Sequence, residues 1–395
     1  MKFIHCADLH IDSKIKTLPS DKSKIRREEI IRTFERLTDY AAENGVTAVI
    51  IAGDMFDDSG ASEKAKNRVF AAIKAHPETD YLYLTGNHDE SCFFSRENLP
   101  ENFKTFGERW TSFRYGGVCV TGVSARGENF DPVYGALDLS AKDVNIVAMH
   151  GQVAGYKSEE RAELISLPLL TDKNVDYLAL GHIHFYSANK LDERGIYAYS
   201  GCLDGRGFDE TGKKGFVLLE IPNDANGTCD INDAVGFGGT AEGSGADSTG
   251  DVAISGGFRR NAVKAEFVPF SSREFFEVEL SVTGEADWFD FRERALKKLK
   301  ADYPAESLVK VIFTGEHKPD FEIDKEAFAA RLNEMFFFGK VYDKTTLEIS
   351  DEDFKNDKSV RGEFVRAVWN SKLPDDKKTA VLMLGLNALK GEDIR

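Results

Sequence analysis

The sequence predicts an α/β layered domain over residues 1–221, followed by a smaller α+β module and terminal helices. Three observations carry this prediction. Short apolar runs rich in β-branched residues alternate with longer amphipathic stretches, which is the signature of strands interleaved with helices. Polar segments containing Gly, Asp, Asn and His directly follow several of those runs. After Phe270 the texture changes to a separate alternation of strand-like and helix-like segments.

Taken in order, the first strands are expected at residues 2–7, 46–52, 81–85, 144–149, 175–180 and 196–200. Between the first two, residues 24–44 place Ile30, Phe34, Leu37 and Ala41 on one face of a helix, which Gly45 then stops. Residues 215–221 and 263–270 read as a hairpin. They enclose residues 223–261, rich in Gly, Ser, Thr, Asp and Asn, which resembles a flexible insertion; the sharper reading is that Arg259 and Arg260 there touch substrate phosphate. Beyond Phe270, a strand (Phe276, Val278, Leu280, Val282), a helix capped by Asp287, a strand at 308–314, a helix at 325–337 and a strand at 345–349 make the small module. Two tail helices are expected at 360–371 and 375–389, the second with Leu382, Leu386 and Leu389 on one side. The domain plan is therefore 1–270 catalytic, 271–350 capping and substrate-guiding, and 351–395 helical tail.

With 395 residues the chain exceeds what one core usually serves. No apolar run is long enough to span a bilayer, and the start, MKFIHCADLH, has no secretory core, so no membrane is expected. Five cysteines without a C-x-x-C pair argue against a disulfide framework and a structural zinc site, and fit a reducing cytoplasm. A net charge of -16 repels nucleic acid at long range and counts against a nonspecific DNA coat. It leaves room for a DNA enzyme whose metals or local basic patch supply positive potential.

Five segments carry the chemistry: ADLH at 7–10, GDMFD at 53–57, GNHDE at 86–90, MHGQ at 149–152 and GHIH at 181–184. Each follows the carboxyl end of an expected strand, where open α/β sheets build their sites. Asp8, His10, Asp54, Asn87, His88, His150, His182 and His184 are the candidates. Singly each has a bland reading: Asp8 a turn cap, Asn87 a left-handed turn residue, any one His a structural group. Jointly they offer carboxylate, amide and imidazole donors without thiolate, a set suited to manganese, with iron or zinc as alternatives, in open coordination. His5 lies inside the first strand as a core histidine; His76 and His317 belong to the surface. Asp57 and Asp12 are candidate acceptors behind ligand imidazoles, although turn formation explains both equally well. Arg126, Arg206, Lys213 and Lys214 either meet DNA phosphates or form a solvated face, the plainer reading.

In order and spacing these segments resemble the calcineurin-like metallophosphoesterases, over roughly residues 1–220. The resemblance implies a β-sandwich flanked by helices in four layers, αββα. The opening FIHCADLHIDS, the GDMFD form and the module after Phe270 are similar to the bacterial SbcD and YhaO branch of DNA double-strand-break repair nucleases. That likeness implies Asp8, His10 and His184 on one ion, Asn87, His150 and His182 on the other, and Asp54 bridging, with manganese favoured. His88 would be the general acid or charge stabiliser, oriented by Asp89. The implied activity is a DNA exonuclease or endonuclease, with DNA and an SbcC-like coiled-coil ATPase as partners. A homodimer stays open. A small-molecule phosphodiesterase or phosphatase, and a noncatalytic scaffold for an ATPase, are the alternatives.

Overall fold

The computed structural model describes residues 1–57, 61–89, 99–124, 130–155, 163–222, 263–318, 321–348, 354 and 357–390. The expected insertion at 223–261, with Arg259 and Arg260, and also Arg126, lie outside the described residues. Two compact units divide the chain, Met1–Glu274 and Phe275–Arg395.

The first unit runs β1 (Lys2–Cys6), α1 (Ser20–Glu43), β2 (Ala48–Ala52), α2 (Glu63–Ala75), β3 (Asp80–Leu84), β4 (Phe103–Thr105), β5 (Thr111–Tyr115), β6 (Val118–Gly122), α3 (Phe130–Ala136), β7 (Val144–His150), β8 (Gln152–Val153), β9 (Leu164–Ile165), β10 (Tyr177–Gly181), β11 (Ser187–Lys190), β12 (Ile196–Tyr199), β13 (Gly215–Glu220) and β14 (Lys264–Pro269). Two six-stranded sheets result, ordered β14-β13-β1-β2-β3-β4 and β11-β12-β10-β7-β6-β5. The strands β1 to β4 are mutually parallel, as are β6, β7, β10 and β12. Central strands such as AVIIA in β2 are buried at every residue, which is why they read as continuous apolar runs.

Side-chain alternation sorts each strand between two layers. Phe3, Ile50 and Leu82 of one sheet meet Ile146, Tyr177 and Ala198 of the other in a shared core. The intervening Ile4, Val49, Ile51 and Tyr81 are equally buried, on the face carrying α1 and α2. Tyr40 of α1 packs its ring 5.2 Å from Phe216 of β13, and Asn102 beside β4 donates to the carbonyl of Ile73 in α2 at 2.9 Å. On the far side, Val147, Met149, Leu178 and Leu180 pack against Val133, Tyr134 and Leu137. The αββα order is thus as expected, with a thin fourth layer whose helix α3 has 7 residues. The expected hairpin is present: β13 and β14 pair antiparallel from Gly215↔Pro269 to Glu220↔Lys264.

The second unit has β15 (Phe275–Ser281), α4 (Trp288–Asp302), β16 (Leu308–Thr314), β17 (Glu316–His317), α5 (Lys325–Met335), β18 (Phe338–Asp343), β19 (Thr346–Leu347) and helices Val360–Trp369 and Asp375–Lys390. Its three-stranded sheet, β15-β16-β18, is parallel throughout. Asp287 caps α4 as expected, accepting from the Asp290 amide at 2.9 Å. The expected helix over 325–337 stops at Met335 instead, because the chain turns at once into β18. Of the expected strand at 345–349, Thr346–Leu347 pairs with β17 as β19, and residue 349 lies outside the described residues. Gly339 explains the close return: a Cβ there would stand 2.3 Å from Leu332 of α5. In the tail, Leu382 and Leu386 join Phe354, Val365 and Val368 in a small core, whereas Leu389 is exposed. Among the described residues no helix is long and apolar enough to cross a membrane.

Candidate metal centre

Five strand ends deliver the candidate residues to one place. Asp8 and His10 follow β1, Asp54 follows β2, Asn87 and His88 follow β3, His150 ends β7, and His182 and His184 follow β10. Four of these residues hold left-handed backbone that non-glycine residues avoid: Asp8 (φ 51), His10 (φ 42), Asp54 (φ 52) and His182 (φ 102). Each such conformation costs on the order of 1–3 kcal/mol and persists only where the surroundings enforce it. Here cross-loop hydrogen bonds do so. Asp8 N donates to Gly53 O at 3.1 Å, His10 N to Asp54 O at 3.0 Å, His88 N to Asp54 Oδ1 at 2.8 Å and His182 N to Asp8 Oδ1 at 2.8 Å. The glycines before Asp54 and Asn87 answer to crowding as well as turning. A Cβ on Gly53 (φ 93) would lie 2.1 Å from His150 Nδ1, and one on Gly86 2.0 Å from Asp54 Oδ1.

Donor atoms converge inside this frame. His10 Nε2 lies 3.3 Å from His184 Nε2, and Asp8 completes a group whose ligand atoms all fall within 4.8 Å of one another. Asn87 Oδ1 lies 2.8 Å from His150 Nε2 and 3.1 Å from His182 Nδ1. Between the two sets stands Asp54 Oδ2, 4.0 Å from His10 Nε2 and 3.3 Å from His150 Nε2. Asp8 and Asp54 are essentially inaccessible, and Asp8 Oδ2 is buried without a hydrogen bond. A buried, unsatisfied carboxylate oxygen is costly unless a cation meets it, and imidazole nitrogens this close together repel as cations but suit a shared ion. The residues present therefore fit two divalent ions.

The electrostatics agree with that fit. Burial alone would lower the His150 imidazole, but the Asp54 carboxylate outweighs it and holds the ring up at about 9. In return His150, against the opposing effect of burial, keeps Asp54 well below the usual carboxylate range. Burial, followed by the Arg206 charge, lowers His10.

The structure also places the weaker candidates. Asp57 Oδ1 faces both His10 Nδ1 (3.4 Å) and His88 Nδ1 (3.3 Å), so it stands behind two imidazoles at once. Asp12 does not: Arg27 and the Ser62 amide hold its carboxylate. Asp89 is likewise turned away from His88. It accepts from Met55 N, Tyr83 OH and Gly86 N at 2.7, 2.7 and 2.6 Å, tying the GDMFD loop to the GNHDE loop. Burial and the Asp54 charge raise its carboxyl to about 6. His5 is a core residue, bonded to Tyr177 OH and Leu180 O. Lys214 is buried with its ammonium on His184 O at 2.8 Å, and Arg206 is committed to Glu210, so neither forms a solvated face. Lys213 is exposed. Glu210, which no motif signalled, accepts from His184 Nδ1 at 2.8 Å. Beside the centre opens a cavity of about 470 Å³, lined by His88, Asp57, Lys14, Lys16, Thr17 and Arg206 among others.

Residues 1–186 match the calcineurin-like phosphoesterase family. The chain is 27% identical over 238 residues to the uncharacterized metallophosphoesterase YhaO of Bacillus subtilis, covering 56% of this chain and 58% of that protein. It is 24% identical over 243 residues to the DNA double-strand break repair protein Mre11 of Sulfurisphaera tokodaii, covering 56% and 60%. It is 27% identical over 186 residues to a component of the SbcCD nuclease of Rhodobacter capsulatus, covering 46% and 38%. The chain thus spans about three-fifths or less of the length of these relatives. With the two-sheet sandwich and the converging strand ends, the match identifies residues 1–186 as a calcineurin-like metallophosphoesterase domain.

Proposed function

We propose that this protein hydrolyses phosphodiester bonds in DNA with two divalent ions, one at Asp8, His10 and His184, the other at Asn87, His150 and His182, with Asp54 bridging them. One observation carries the reading: Asp54 Oδ2 stands between the His10 and His150 imidazoles, with a further donor set on each side. When bound, such ions, manganese first and iron or zinc as alternatives, supply a water of lowered pKa and positive charge facing the phosphoryl oxygens. His88 lies on the cavity, partly exposed, and its imidazole gives a proton to the departing oxygen. Asp57, facing Nδ1 of that ring, keeps Nε2 as the atom offered to substrate. Lys14 and Lys16 are exposed on the wall of the same cavity and supply local positive charge on a molecule of net charge -16.

The choice of DNA draws on the similarity to the repair protein and the nuclease component named above, and a coiled-coil ATPase as partner for the tail on the resemblance of the opening FIHCADLHIDS, the GDMFD form and the module after Phe270 to the SbcD and YhaO branch. Exposed Leu384 and Leu389 on the last helix support helix-in-groove docking there. Cys6, Cys119 and Cys202 are free and buried, which suits a reducing cytoplasm. The test is digestion of end-labelled linear duplex and single-stranded DNA with manganese, beside a generic diester and cyclic nucleotides. Metal-dependent cleavage of DNA supports the reading; hydrolysis of the small substrates alone moves the assignment to a small-molecule phosphodiesterase. Co-purification with the ATPase, lost on deleting residues 358–395, supports the docking; retention after that deletion refutes it.

A further inference from the structure

We propose that Glu210 is the positioning residue of one metal site, fixing the His184 imidazole so that its Nε2 faces the ion held with Asp8 and His10; this rests on the two-ion reading above. His184 Nδ1 lies 2.8 Å from Glu210 Oε1, which only accepts, and 3.3 Å from Arg206 Nη2, which already donates to that same oxygen at 2.8 Å; the shorter carboxylate contact assigns the ring proton to Nδ1 and leaves the Nε2 lone pair on the His10 side, 3.3 Å from His10 Nε2. Carboxylates behind metal-bound imidazoles set tautomer and ring orientation in this way and raise the basicity of the ligand nitrogen.

Glu210 is built to stay in place. It is 3% exposed, and its second oxygen accepts from the Arg206 amide at 2.6 Å, while the Arg206 guanidinium donates to Oε1 through Nε at 3.0 Å and Nη2 at 2.8 Å. The loop carrying it is anchored in turn. Asp204 accepts from buried Arg26 at 2.6 Å and from Thr33 at 2.8 Å, both on α1. Lys214 Nζ donates to the His184 carbonyl at 2.8 Å, holding the backbone of the ligand itself. Oε1 takes the ring nitrogen and both guanidinium bonds at once, so the variants below separate its service to His184 from its pairing with Arg206.

The test is manganese binding by the full chain, stripped with chelator and titrated with MnCl2, read by electron paramagnetic resonance of free ion. The unsubstituted protein takes two ions. In Glu210→Gln one ion keeps its affinity and the other weakens about 10- to 100-fold. Because Glu210→Gln leaves the half-buried Arg206 without its carboxylate partner, the double variant Glu210→Gln/Arg206→Met removes both charges together; it shows the same selective loss, with its thermal unfolding confirming a folded chain. Arg206→Met alone retains both ions. Two ions bound to Glu210→Gln as tightly as to the unsubstituted chain overturn the proposal, and so does an equal loss in Arg206→Met, which would make Glu210 only a partner for that guanidinium. An unsubstituted chain that binds no manganese removes the two-ion reading itself, and the role of Glu210 with it.

Discussion

Acidifying from pH 8 to pH 5 should weaken the first unit by about 2 kcal/mol through His5 alone. His5 sits in β1 between the two sheets, fully buried, with Nδ1 2.8 Å from Tyr177 OH and Nε2 3.2 Å from Leu180 O. Burial pushes its imidazole down to about 3, and the Leu180 carbonyl only partly opposes that. In the unfolded chain the same ring titrates near its ordinary value of about 6.5. Since the folded value is the lower one, the unfolded state takes up the proton first as pH falls. The stabilisation is therefore complete above about pH 6.5 and lost between there and about pH 3. At pH 5 the ring is about 1.5 units below its unfolded midpoint, and at about 1.36 kcal/mol per unit the loss is about 2 kcal/mol. The assay is urea unfolding of chelator-treated protein at both pH values, read by hydrogen exchange of the β1 and β10 amides, for the natural chain and His5→Gln. Glutamine can still serve both partners without titrating. Equal pH sensitivity in the two proteins would refute the reasoning.

Four further outcomes follow from the centre. Asp54→Ala should empty both metal positions, as measured by metal content after dialysis, because its Oδ2 serves both sides. His88→Ala should keep both ions yet lose turnover on the order of 10²-fold or more; a fully active variant removes its role. Asp57→Asn should retain metal and lose on the order of tenfold in rate, since it acts only through the rings it faces. Gly53→Ala should displace His150, 2.1 Å from the added Cβ, and cost about 1–3 kcal/mol in unfolding measurements; unchanged stability would contradict the close packing.

The site was legible in outline because its residues sit at strand ends marked by glycine. Gly53-Asp54, Gly86-Asn87 and Gly181-His182 each pair a backbone that must pass a neighbouring loop closely with a donor that must project beyond it. Glu210 lay hidden because GFDETGKKG has no apolar run to announce a strand end, and its partner His184 is 26 residues away. Asp89 misled because proximity in sequence to His88 says nothing about direction: the turn swings its carboxylate inward to three donors, while Asp57, from another loop, faces the ring. Lys214 and Arg206 show the same limit, since a charged residue in a turn reads as solvated until a buried partner is found for it. In the fold, β5 and β18 escaped notice for local reasons. TSFRY in β5 is an edge strand with no fully buried residue, and FGKVYD in β18 abuts aromatic residues that continue the helical pattern of α5.

The measurement closest to the central claim is anomalous diffraction from crystals of the manganese-loaded protein. Two peaks about 3.5–4 Å apart, both touching Asp54, one also bonded to Asp8, His10 and His184 and the other to Asn87, His150 and His182, are the predicted result. A single peak, or a pair of peaks with neither in contact with Asp54, would contradict it.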